Sequence, residues 1–157
     1  MKIIILCVGG IKTNFLKMGI KQYEKWLSRY IKVETLYLKS GGDINRVPKE
    51  KVLHNEATKL IKYIKDDYYN ILLDKGGEEF SSEDFAKFID QTIVDGSKSA
   101  ILFVVGGVHG VSENIKNKVD KKISLSRMTF THELSVFILL EQLYRAFKII
   151  NNEKYHY

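Results

Sequence analysis

The chain has 157 residues, 45% of them hydrophobic and 28% charged, with a formal net charge of +6 at pH 7. That size and balance suit one globular domain over residues 1–157 and exclude a disordered or collagen-like chain. The single cysteine excludes an intrachain disulfide framework, and no run approaches 18 uninterrupted apolar residues, which excludes a helical membrane span.

In chain order, the run Ile3-Ile4-Ile5-Leu6-Cys7-Val8 reads as a buried strand ending at Gly9-Gly10. It is too short for a signal sequence and lacks a small-residue cleavage pattern. Cys7 inside it is expected to be a buried, inert thiol, and a reducing cytoplasmic location fits. Positions 14–30 repeat Phe15, Met18, Ile20, Tyr23, Trp26, Leu27 and Tyr30 as a helical stripe, with Lys17, Lys21 and Lys25 opposite. A second strand covers 33–38. Pro48 suits the first turn of a helix through Val52, Ala57, Leu60, Ile61 and Ile64, with His54, among Asn55 and Glu56, expected at its surface.

A third strand over 69–73 leads into the loop Leu73-Asp74-Lys75-Gly76-Gly77. There Asp74 is either a turn former or the holder of a ribose hydroxyl or amino group. Ser81 or Ser82 caps a helix through Phe85, Phe88 and Ile89, and a fourth strand covers 99–105. A short polar helix near 113–119, a weak strand near 122–125, an irregular stretch 126–131, a helix over 132–150 and a polar tail follow. Parallel strands joined by helical crossovers predict an α/β domain with a sheet flanked by helices.

Residues 1–70 carry 14 basic and 7 acidic side chains, residues 71–110 carry 3 and 7, and residues 111–157 carry 8 and 5. Two basic ends around an acidic middle suit a polyanionic partner, although lysine that only keeps a surface wet has the same composition. The last predicted helix is apolar on far more than one face, which predicts packing against the sheet on one side and a partner chain on the other. Its thin polar stripe holds Glu141 and Arg145, four apart and able to pair.

The strand at 101–105 runs straight into Gly106-Gly107-Val108-His109-Gly110, a plausible ligand loop because glycine lets backbone approach a ligand closely. A ligand-free tight turn would explain it as well. The dinucleotide fingerprint and the phosphate loop are both absent, which counts against a nucleotide-binding oxidoreductase. The four histidines have no metal-ligand spacing, so no metal is expected.

The segment Gly106-Gly107-Val108-His109-Gly110-Val111-Ser112 resembles the glycine loop of the RlmH family of SPOUT methyltransferases. Leu125-Ser126-Arg127-Met128-Thr129-Phe130-Thr131-His132 is similar to that family's Leu-Ser-x-Met-Thr-hydrophobic-Pro-His segment. Glu141-Gln142-Leu143-Tyr144-Arg145-Ala146 resembles its last helix, and Tyr155-His156 its terminus. The four motifs fall in the family's order along the whole chain.

The resemblance implies a SPOUT-type α/β fold with a C-terminal trefoil knot and an antiparallel homodimer. It implies S-adenosyl-L-methionine as cofactor and methyl transfer to N3 of a pseudouridine in helix 69 of 23S ribosomal RNA, on free RNA or the assembled ribosome, with no DNA or membrane partner. It implies that Leu73, Gly106, Gly107, Leu125, Ser126, Arg127, Met128, Thr129 and Phe130 hold the cofactor. Arg145, Tyr155 and His156 would bind substrate, with His132 or His156 as proton acceptor and Arg145 stabilising charge on the base. The chain departs from the pattern at Thr131 (usually proline), Val136 (usually arginine), His109 (usually acidic or neutral) and Tyr157 (usually basic). A paralogue acting on another RNA, or a non-catalytic RNA-binding dimer, therefore remains open at this point.

Overall fold

The computed structural model describes residues 1–154. Tyr155 and His156, expected at the substrate, and Tyr157 lie outside the described residues. The elements are β1 (Lys2–Val8), α1 (Asn14–Leu27), β2 (Lys32–Leu38), α2 (Lys49–Leu60), β3 (Tyr68–Glu79), α3 (Ser82–Asp95), β4 (Ala100–Val105), α4 (Glu113–Lys116), β5 (Lys121–Ser124) and α5 (His132–Ile150).

All five strands are parallel, in the order β2-β1-β4-β3-β5. The central strand β4 is AILFVV, buried at every position, as a strand covered on both faces must be. Alternation along β1 divides the core. Ile3, Ile5 and Cys7 face the cluster that includes Leu16 and Ile20 of α1, Phe85 and Ile89 of α3, and Leu139 and Leu143 of α5. Ile4, Leu6 and Val8 face Ala57 and Leu60 of α2 and Ile115 of α4. Burial pushes the Cys7 thiol up to about 12, so it stays protonated and inert. Among the described residues, no helix is long and apolar enough to cross a membrane.

Two expectations need correction. Strand β3 does not stop at 73. Leu73 and Glu78 both pair with Ile123 of β5, so residues 74–77 form a bulge within a twelve-residue strand rather than a loop beyond it. On α1 the inner face is Leu16, Ile20, Tyr23 and Leu27, whereas Phe15 and Met18 are 74% and 73% exposed. Helix α5 packs against the sheet as expected and is flanked by α1 and α3, and its outer residues, Ile138 among them, are half-buried. A Cβ on Gly19 of α1 would lie 2.4 Å from Phe137 of α5, and Ser82 of α3 donates 2.8 Å to Gln142 of α5.

Candidate active site

The carboxyl ends of β1, β4 and β3 and the segment between β5 and α5 enclose one cleft of about 1020 Å³. Ligands of open parallel sheets sit at such strand ends, and this volume is at the upper limit of ordinary ligand pockets. The order of the strands creates the site. Strand β4 lies between β1 and β3, so the loop that leaves it stands between Gly10 on one side and Asp74 on the other.

The loop after β4 is a closed turn. Gly107 and Gly110 form an antiparallel bridge, and the Gly110 amide donates 3.0 Å to the Gly107 carbonyl. A Cβ on Gly106 would lie 2.9 Å from the Gly110 carbonyl carbon and oxygen, so only glycine lets the turn fold back on itself. The bulge supplies the second wall through Leu73, Asp74 and Lys75. Asp74 accepts from its own Gly76 amide at 3.1 Å and faces Lys116 at 3.9 Å, so it serves both as turn former and as one side of an ion pair.

The third wall is the segment 125–131. Ser126 fixes its bend by accepting from the Met128 amide at 3.0 Å, and its carbonyl accepts from the Ser124 hydroxyl at 2.9 Å. That bend leaves Met128 75% exposed, with Phe130 beside it on the cleft wall. Of the nine residues expected at the cofactor, Leu73, Gly106, Gly107, Leu125, Ser126, Met128, Thr129 and Phe130 line the cleft, and Arg127 does not.

Helix α5 is fastened to the end of β1 by two side chains. Thr131 caps the helix, its hydroxyl accepting from the Leu134 amide at 3.2 Å. His132 lines the cleft with Nε2 at 2.9 Å from the Gly10 carbonyl. A carbonyl only accepts, so Nε2 carries a hydrogen and Nδ1 is the nitrogen left to take a proton. The approach needs glycine at position 9, where φ is +93° and a Cβ would lie 2.9 Å from that same nitrogen.

Glu133 completes the fastening, its carboxylate accepting from the Lys12 amide, the Thr13 amide at 3.2 Å and the Thr13 hydroxyl at 2.7 Å. The Lys12 amide foremost, then Thr13, hold this carboxyl below its ordinary value of 4.5. The folded-state value is the lower one. The bonds therefore contribute fully above about pH 4.5, and their contribution is lost as pH falls through the depressed value. Unfolding in urea should show it: between about pH 5 and about pH 3 the wild-type midpoint drops further than that of Glu133→Gln. Equal drops would contradict this role.

Arg145 stands elsewhere. Its Nε and Nη2 donate to Glu141 Oε1 at 3.2 and 2.6 Å, Glu141 Oε2 accepts from Gln142 at 2.7 Å, and the chain continues to Ser82. Thirteen residues of one helix separate it from His132, a rise of about 20 Å. Val136 is fully buried in the core.

Two groups were not legible as site residues. Lys12, Lys49 and Lys75 are exposed and come from three separate segments to the rim of the cleft. Glu56, which nothing in its local sequence marks, is 3% exposed. Its Oε1 accepts from the Gly41 amide at 3.0 Å, and its Oε2 accepts nothing among the described residues. A buried acceptor without a partner costs about 1–3 kcal/mol.

The sequence and the fold both have close counterparts. A family model described as "Predicted SPOUT methyltransferase" matches residues 1–156. The ribosomal RNA large subunit methyltransferase H of Acetivibrio thermocellus is 41% identical, with 99% of each chain covered. That of Thermotoga neapolitana is 42% identical over 97% of each. Among solved structures, the tRNA (m1G37) methyltransferase from Aquifex aeolicus aligns with 92% of this chain and 70% of its own, at a TM-score of 0.52 and 16% identity. At that identity the likeness speaks to the fold alone.

Proposed function

The chain belongs to the RlmH family of SPOUT methyltransferases, and we propose that it methylates 23S ribosomal RNA at N3 of a pseudouridine in helix 69. Membership makes it an enzyme that uses S-adenosylmethionine and gives its sheet the SPOUT-type knotted fold. The observation that carries the proposal is one cleft walled by Leu73, the glycine turn and the bend at 125–130.

Those walls suit the cofactor. Leu73, Leu125, Met128 and Phe130 offer apolar faces to an adenine ring, Ser126 and Thr129 offer hydroxyls, and Gly106 and Gly107 offer bare backbone. Bound there, S-adenosylmethionine supplies a methyl group on a sulfonium, open to in-line attack by a nitrogen. Lys12, Lys49 and Lys75 on the rim attract the phosphates of an RNA strand. The target N3–H must lose its proton, and His132 takes it at Nδ1 while Gly10 holds Nε2 in place.

Two of the four departures from the family pattern, at Thr131 and Val136, are absorbed by the fold, which favours a working enzyme over a non-catalytic module. Thr131 caps α5 where proline is usual, and Val136 fills the core.

Arg145 and His132 of one chain, about 20 Å apart on one helix, do not meet on one base. The reading therefore takes Arg145 from a second copy and makes the enzyme a homodimer. Phe15 and Met18 support it, being large apolar side chains exposed three apart on α1. Sedimentation should find a dimer at micromolar concentration, and Phe15→Glu with Met18→Glu should leave a folded monomer. A wild-type monomer would sink this part of the proposal.

The substrate is tested by incubating the protein and labelled S-adenosylmethionine with unmodified ribosomes, separated subunits and free RNA, then mapping the labelled nucleotide. Label at a helix 69 pseudouridine is expected. Label on an unrelated RNA keeps the methyltransferase and overturns the target.

A further inference from the structure

Unsatisfied polarity in this protein gathers at one place. Four buried side-chain polar atoms lack a hydrogen bond among the described residues, and three of them, Glu56 Oε2, His109 Nε2 and Ser112 Oγ, lie on or against segment 106–112. Stable folds satisfy buried polar groups, and exceptions concentrate where function requires them. Glu56 is the one that comes from outside the segment. It sits on the inner side of α2 beside Val52, Ala57 and Leu60, where a carboxylate would not be placed for packing alone.

Its surroundings show what it does. The Gly41 amide donates to Glu56 Oε1, and the neighbouring Asn55 donates 2.9 Å to the Gly41 carbonyl, so α2 grips residue 41 by both backbone groups. The same carboxylate faces Gly107, where a Cβ would lie 3.2 Å from Oε1 and 3.3 Å from Oε2, with Val8 Cγ1 on another side at 3.1 Å. Gly107 is the base of the turn closed by Gly110, and it lines the cleft while Glu56 does not. The carboxylate thus lies behind the loop, on the side away from a ligand.

We propose that Glu56 is a positioning residue for the cofactor, setting the depth of the 106–110 turn by standing behind Gly107 at the full reach of a glutamate. The inference rests on the reading of this cleft as the cofactor site. Reach is the property at issue. Aspartate is one methylene too short to hold the turn, and an added Cβ at 107 pushes against the carboxylate.

Calorimetry with S-adenosylmethionine tests this in the 157-residue protein, with far-ultraviolet spectra and melting curves alongside. Glu56→Asp and Gly107→Ala should each weaken binding about tenfold. The double variant should fall clearly short of the roughly hundredfold loss of independent sites, because the shorter side chain makes room for the new methyl group on the carboxylate side while Val8 still crowds it. Glu56→Gln keeps the reach and should bind within threefold of wild type. An additive double variant overturns the proposal, as does Glu56→Gln binding as weakly as Glu56→Asp. A Glu56→Asp chain that loses its fold, or binds within twofold of wild type, marks Glu56 as structural only. Wild-type protein that binds no S-adenosylmethionine sinks the reading of the cleft itself.

Discussion

Gly106→Val is expected to abolish S-adenosylmethionine binding while leaving the far-ultraviolet spectrum of the folded protein unchanged. Residue 106 follows the last residue of the fully buried β4, so the strand and the core beneath it remain. The new Cβ would stand 2.9 Å from the carbonyl group of Gly110 and 3.0 Å from Val111, and the two further methyl groups of valine enlarge the clash. Backbone cannot give way there as a flexible side chain would, so the turn must open and its bridge to Gly107 must break. A ligand that depends on the closed turn loses its wall. Calorimetry should show affinity lower by more than about a hundredfold, or about 2.7 kcal/mol. Unchanged affinity would place the cofactor outside this cleft.

The second large effect concerns Arg145. Arg145→Gln should leave cofactor affinity near wild type, because the residue stands about 20 Å along α5 from the cleft residue His132. Methyl transfer should nevertheless fall by at least about a hundredfold, since a guanidinium oriented by Glu141 would no longer meet the charge developing on the base. A mixing experiment separates this from simple damage. If Arg145 acts across a dimer, equal amounts of Gly106→Val and Arg145→Gln protein, each nearly inactive, should exchange subunits and regain about a quarter of wild-type activity. Half the dimers are then mixed, and each mixed dimer has one intact site. No recovery after verified exchange would mean that Arg145 acts within its own chain or not at all.

Much of this arrangement was legible before any coordinates. The uniform run at 3–8 can only be a strand buried on both faces, and the helix over 132–150 has the bounds expected from its sequence. The cofactor segments that the family resemblance implies also converge, at the strand ends where ligands of open parallel sheets sit.

What escaped depends on partners distant in the chain. The bulge at 74–77 looks like a plain glycine turn, and only pairing with β5, some fifty residues later, reveals that the strand resumes. Nothing in the sequence singles out Glu56, because the amide that draws it inward belongs to Gly41, in a loop with no periodicity. Glu133 looks like an ordinary acidic residue in a first helical turn, yet it binds the start of α1. The stripe on α1 was misread because its outer side carries large apolar residues too, and hydropathy alone cannot tell Phe15 from Leu16.

The glycine turn, the bulge and the bend at 125–130 are together expected to hold the methyl donor. A crystal structure with S-adenosylhomocysteine, the product of that donor, tests it most directly. The ligand is expected between Leu73, Gly106–Gly107 and Leu125–Phe130, with its sulfur open toward His132. A ligand bound elsewhere on the same fold, or a properly folded protein that takes none at saturating concentration, would contradict it.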